Sequence, residues 1–193
     1  MTPRAPALPP DERRLGLMEA TLPLLHEHGA AVTTRQIAEA AGVAEGTVFR
    51  VFATKDELIE ATIQHAFRPG RMLADMQEIP QEADLDARAL ALVRIMQGRF
   101  AQSFLLLQRL GMTGPPPPGD ADFAERLAET AKAMENLLEP FQTELTMPAA
   151  QVVRMLRLLT FSGTHPKFTG GELLTDRQIV DAVLYGAIRR GDN

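Results

Sequence analysis

Leu15, Met18, Leu22 and Leu25 fall at i, i+3, i+7 and i+10, which places them on one stripe of a helix beginning near Asp11. Pro23 interrupts that stripe and predicts a bend rather than two helices, and Gly29 suits the left-handed position that ends it. Thr33-x-x-Gln36 has the form of a capping box and opens a short helix carrying Ile37, Ala38 and Ala41. After Gly42 and Val43, a second short helix is expected over about Glu45–Val51. Thr54-x-x-Glu57 repeats the capping pattern and opens a longer helix with Leu58, Ile59, Ile63 and Phe67 on its apolar side. Arg68-Pro69-Gly70 then ends or kinks it.

The rest of the chain reads as further helices. Asp84 to Gly111 is one block, with Gly98 its candidate break, and Gly114-Pro-Pro-Pro-Pro-Gly119 is an extended loop. Asp120 to about Leu145 carries Phe123, Leu127, Ala131, Met134 and Leu138 in register. Pro148 fits the first turn of a helix reaching Gly163, and His165 to Leu174 reads as a loop. Thr175-x-x-Gln178 is a third capping box, opening a last helix to Arg190. No internal repeat and no β-hairpin signal is present. The fold class is all-α, with about nine helices.

Composition agrees with a helical core: 45% of the 193 residues are hydrophobic and 23% charged. With no cysteine there is neither a disulfide nor a thiolate metal site. His26, His28, His65 and His165 lack the spacing of a metal site, so no metal and no cofactor is expected. No G-x-S-x-G, Gly-rich phosphate loop or nucleophile–base pair predicts an enzyme. The first ten residues hold four prolines and read as a disordered arm without an apolar h-region. No apolar run approaches the ~20 residues that span a bilayer, so the expectation is a cytoplasmic protein without a membrane partner. Net charge is −5, and residues 1–68 contain seven Lys/Arg against nine Asp/Glu. A nucleic-acid reader built this way must concentrate its cations on one face.

The two short helices and the AAGV turn between them have the geometry of a helix-turn-helix. Ala38 lets the second helix pack closely, Gly42 supplies the turn, and Val43 and Val48 are the expected apolar pins. The second helix of such a motif lies in the major groove with its leading residues at base edges. Here those are Ala44, Glu45, Gly46 and Thr47, with Arg50 one turn later.

The stretch TTRQIAEAAGVAEGTVFRVFATKDELI resembles the N-terminal domain of the TetR-type (tetracycline repressor-like) regulators, over about Asp11–Phe67. The ending TDRQIVDAVLYGAIRRG is similar to that family's final helix, less specifically. The resemblance implies a DNA-binding transcriptional regulator: a ligand-responsive repressor that binds a palindromic operator on double-stranded DNA as a homodimer. It implies a helix-turn-helix domain over 11–54 and a helical ligand-binding and dimerisation domain over 55–193, joined by the helix at 55–67. Carried over residue by residue, Thr33, Thr34 and Arg35 would meet phosphate, Gly46 would permit close approach, Thr47 would contact backbone or base, and Lys55 would bind phosphate. Three positions depart from the pattern. Phe49 and Val51 stand where the family often has tyrosine or histidine phosphate donors, and Ala44 replaces the usual serine cap. Each loss removes about 1 kcal/mol. Arg50, Arg13 and Arg14 are the residues that could compensate.

In the body, Met96, Phe100, Phe104, Leu107, Met134 and Met155 are candidates to line a cavity for a small apolar or amphipathic ligand, set against an ordinary core role. Arg94, Arg99 and Arg109 read as partners of neighbouring carboxylates, with an acidic ligand as the alternative. A four-helix bundle with a second chain would use Leu156, Leu159, Gly163, Ala182, Val183, Gly186 and Ala187. The alternative readings are a regulator without a ligand and a helical interaction module whose helix-turn-helix has lost DNA affinity.

Overall fold

A computed structural model describes residues 9–68, 70–117 and 122–186. Ten α-helices occur among them and no strand: α1 Pro10–His28, α2 Thr34–Ala40, α3 Glu45–Val51, α4 Lys55–Ala66, α5 Gly70–Gln77, α6 Leu85–Arg109, α7 Phe123–Leu138, α8 Ala149–Thr164, α9 Pro166–Thr169 and α10 Asp176–Leu184. Short 3-10 turns follow α1 (Gly29–Ala31) and α7 (Glu139–Phe141). The expected arm over residues 1–8, the end of the proline loop and the extension of the last helix from Ala187 to Arg190 lie outside the described residues.

The chain forms two compact units. Of the described residues, the first comprises 9–67 and 105–117, the second 68, 70–104 and 122–186, so the boundary cuts through α6. In the first unit α1 packs against α2, α3 and α4. Its core is Leu17, Leu25, Val32, Ile37, Ala38, Val48, Phe52, Leu58, Ile59 and Ile63, closed by Leu106 from the end of α6. Each large side chain so buried contributes roughly 1.5–3 kcal/mol over its exposed state. The chain leaves α1 through Gly29, whose φ of +59° is one that side chains rarely adopt. Pro23 lies inside α1, which continues past it to His28 as one helix.

In the second unit Met72, Met76, Ala89, Leu92, Val93, Met96, Met134, Leu138, Val152, Val153, Leu156, Ile179 and Val180 form the core. α8 is its centre, burying Ala149, Val152, Val153, Leu156, Thr160, Gly163 and Thr164 at helical spacing. Arg88 fastens α6 to α7 by donating to the carbonyls of Ala83 and Leu137 at 3.0 and 3.1 Å, and to that of Gln81. Arg177 of α10 binds both Asp86 of α6 (2.6 and 2.9 Å) and Asp181, while the Tyr185 hydroxyl donates to Asp86 at 3.0 Å. These partners hold the Asp86 carboxyl below the usual carboxylate range, the Arg177 hydrogen bond being the main cause. Arg94 of α6 pairs with Asp176 of α10.

The body departs from the sequence expectation in four places. α5 was not anticipated, because its buried Met72 and Met76 offer one i, i+4 pair, too little to register as periodicity. α6 runs unbroken through Gly98, where a Cβ would meet nothing within 4 Å. α7 stops at Leu138 rather than near Leu145 because Pro140 cannot continue it, and Leu127 faces outward instead of joining the buried stripe. The loop after α8 contains the four-residue α9, begun by Pro166 and ended by Gly170 at φ +63°.

By length and composition α6 is the one helix among the described residues that could cross a bilayer, at a mean hydropathy of 1.2 over its most apolar stretch. Its Ala89, Leu92, Val93 and Met96 are buried in the core of the second unit.

Candidate nucleic-acid interface

The helix-turn-helix is built from local rules that each residue satisfies in turn. Thr33 caps α2: its hydroxyl accepts from the Gln36 N–H (3.2 Å) while the Gln36 side chain accepts from the Thr33 N–H (2.8 Å). Ile37 and Ala38 face the core. α2 exits through Gly42 at φ +66°, and the Val43 N–H returns to the Ala38 carbonyl at 3.0 Å. α3 follows, anchored by buried Val48 and by buried Phe52 just past its end. Val43 is not the second pin that the sequence suggested: it is 37% exposed, and its backbone bond, not its side chain, ties the turn to α2.

Burial of Val48 leaves the opposite side of α3 open. Ala44, Glu45, Gly46, Phe49 and Arg50 are exposed and Thr47 is half-buried. Phe49 is 49% exposed, and a Cβ on Gly46 would meet nothing within 4 Å. Ala44 occupies the cap of α3 without a side-chain hydrogen bond. The leading end of this rod therefore presents a small surface with one carboxylate, one hydroxyl and one guanidinium.

Most of the cations expected around the rod have partners within the protein. Lys55 Nζ donates to the carbonyls of Ala30 (3.2 Å) and Val32 (3.1 Å), so it closes the turn after α1 while opening α4. Arg35 donates to the Glu39 carboxylate at 3.0 Å, and that hydrogen bond raises its pKa further. Arg14 lies over the Phe52 ring, 4.1 Å from its centre, and reaches Val51 O (3.4 Å) and Glu57 (3.3 Å). Glu57 closes on the Ala53 N–H (2.7 Å), while Thr54 accepts from the Glu57 N–H (3.0 Å). The second capping box is thus displaced by one residue on the carboxylate side. Arg50 makes no ion pair or side-chain hydrogen bond with the described residues. Thr34, at the start of α2, donates its hydroxyl proton to Glu45 at the start of α3. Sequence reasoning missed that link, since nothing in the spacing of the two residues announces it.

The body residues singled out from sequence do not form one group. Met96 and Met134 are buried in the core of the second unit, and Phe100 packs against that core. Phe100 stacks with Phe104 at 6.2 Å, and both meet Phe161 edge-on at 5.3 and 5.1 Å. His165 adds to the cluster, 4.4 Å from Phe104. Leu107 belongs to the first compact unit, and Met155 is exposed. The hydroxyl of Thr164 is buried without a hydrogen-bond partner among the described residues. Of the residues considered for a subunit contact, Leu156 is fully buried, Leu159 and Val183 pack on the same core, and Gly163 faces Leu174 of its own chain. Ala182 and Gly186 are exposed. Met155, Leu158 and Phe161 form the outward apolar stripe of α8, with Leu158 56% exposed.

Residues 17–62 match the model of the tetR family of bacterial regulatory proteins. A 59-residue stretch is 42% identical to the uncharacterized HTH-type transcriptional regulator YvkB of Bacillus subtilis strain 168, covering 30% of this chain and 31% of that protein. The match thus spans about a third of that relative's length. Over the whole fold, the chain is similar to the TetR-like regulator LfrR from Mycobacterium smegmatis, solved in complex with proflavine. The TM-score is 0.58 at 20% identity, covering 92% of this chain and 98% of that one. The regulator FadR from Bacillus subtilis, solved in complex with stearoyl-CoA, aligns with a TM-score of 0.54 at 15% identity, over 90% and 99% of the two chains.

Proposed function

We propose, from the match of residues 17–62 to the tetR family model, that this protein is a DNA-binding transcriptional regulator that reads a two-fold symmetric operator as a homodimer. The observation that carries the reading is α3. It is a short helix pinned from behind by Val48 and Phe52, with its leading residues open to the outside. A rod supported in that way can enter a major groove without unfolding anything. Among the described residues, Arg50 is a cation of this unit open to the duplex, and Thr33, Thr47 and the first-turn N–H groups of α2 would fix register on the phosphates. Lys55 would act by holding the turn before α2, with any phosphate contact added to that task.

Two chains are needed to read two half-sites about 34–36 Å apart. The outward stripe of Met155, Leu158 and Phe161 on α8, with Ala182 on α10, is the surface proposed for the partner chain. Control by a small apolar or amphipathic ligand is proposed by analogy with the proflavine and stearoyl-CoA complexes. In this chain the aromatic cluster of Phe100, Phe104, Phe161 and His165 supports it, as does the unpartnered Thr164 hydroxyl.

The test is selection from a randomised duplex library followed by affinity measurements at several salt concentrations. The expected result is an inverted-repeat site whose affinity falls linearly on a log–log salt plot. Binding that selects no sequence, or no binding at low salt, contradicts the proposal and favours a helical interaction module. A melting-temperature screen against apolar cations and acyl compounds tests the ligand separately.

A further inference from the structure

Glu45 is an unusual residue to lead a rod into a polyanion. It is exposed at the first position of α3, and its carboxylate would approach a double row of phosphates. Coulomb repulsion makes that placement unfavourable; Arg35 nearby offsets part of it, and a donor on the DNA would offset more. The major groove offers two kinds, the exocyclic amines of cytosine and adenine. Adenine carries its N7 acceptor beside the amine, which repels a carboxylate and favours an amide. Cytosine has no acceptor on that edge.

We propose, resting on the DNA-binding reading above, that Glu45 is a specificity-determining residue that accepts a hydrogen bond from a cytosine amine in each half-site, and that Thr34 is its positioning residue. The Thr34 hydroxyl engages Oε1 of Glu45. That leaves the second carboxylate oxygen open. It also ties the start of α2 to the start of α3, so the carboxylate has a fixed direction before the duplex arrives. An exposed glutamate without that link would fold back on its own helix or wave in solvent, and would discriminate poorly. Gly46 beside it adds no bulk between the carboxylate and the groove floor.

The experiment compares wild type with Glu45→Gln, Glu45→Ala and Thr34→Val in the same duplex selection, with melting curves to confirm folding. Wild type is expected to prefer cytosine about tenfold at one symmetric position. Glu45→Gln should move that preference to adenine, since an amide pairs with both adenine groups. Glu45→Ala should abolish it and raise affinity for unselected DNA, because a negative charge has left the interface. Thr34→Val should weaken discrimination at that position alone, and Thr34→Ser should restore it. If wild type selects a sequence and Glu45→Ala selects the same one with unchanged preference, the assignment is overturned while the regulator reading stands. A wild type that selects adenine at that position likewise overturns it. A wild type that selects no sequence overturns the regulator reading itself.

Discussion

The carbonyl oxygen of Arg109 occupies the space that a side chain on Gly29 would need: a Cβ there would lie only 2.6 Å from it. Gly29 also sits at φ +59°, so the end of α1 and the end of α6 meet through a residue that no other can replace. Gly29→Ala should cost roughly 2–4 kcal/mol from backbone strain and overpacking together. Gly98→Ala is the matching control. It lies inside α6 with open space around it, and should stabilise by about 0.5–1 kcal/mol. Urea titration of both variants checks the pair; an unchanged midpoint for Gly29→Ala would refute the packing argument.

Arg50 and Lys55 should separate in their effects. Arg50→Ala removes an exposed cation without an internal partner, so it should weaken DNA binding, reduce the salt slope by about one and leave melting unchanged. Lys55→Met leaves the Ala30 and Val32 carbonyls without their donor, so melting temperature and DNA affinity should fall together. Anisotropy titrations paired with calorimetry distinguish the two patterns.

The capping box at the start of α2 should be measurable by itself. Thr33→Ala is expected to lose about 1 kcal/mol and Thr33→Ser to lose much less. Equal losses in equilibrium unfolding would show that the Thr33–Gln36 hydrogen bonds carry no net stability.

His26 gives the fold an acid sensitivity. Burial pushes its pKa below the ordinary 6.5, and its Nδ1 is buried without a hydrogen bond to the described residues. The unfolded chain therefore binds the proton more readily than the folded one. The His26 contribution to stability is fully present above pH 6.5 and is lost as pH falls through the folded value. His26→Gln should flatten the dependence of stability on pH below 6.5, measured by urea midpoints at a series of pH values.

How much of this was legible beforehand differs between the two units. Thr33, Gln36, Gly42 and Val48 declared the helix-turn-helix because each acts through neighbours within a few residues, at spacings that geometry fixes. What sequence could not supply was which charges are already committed. Arg14 with Phe52, Lys55 with Ala30, and Thr34 with Glu45 are contacts across 38, 25 and 11 positions that only folding brings together. The same holds for α8, where periodicity identified an apolar helix. Leu156 facing the core and Leu158 facing outward could not be told apart until α10 and α7 took their places beside it.

Entry of the leading end of α3 into a duplex can be tested by site-directed cross-linking. The natural chain has no cysteine, so Gly46→Cys provides a single thiol on that end with open space around it. Incubated with the selected duplex carrying a disulfide-tethered base, this variant should cross-link at one symmetric position in each half-site, and free duplex of the wild-type sequence should compete it away. A thiol at residue 46 that stays unreactive toward bound duplex, while a cysteine at exposed Leu158 cross-links instead, would contradict the account.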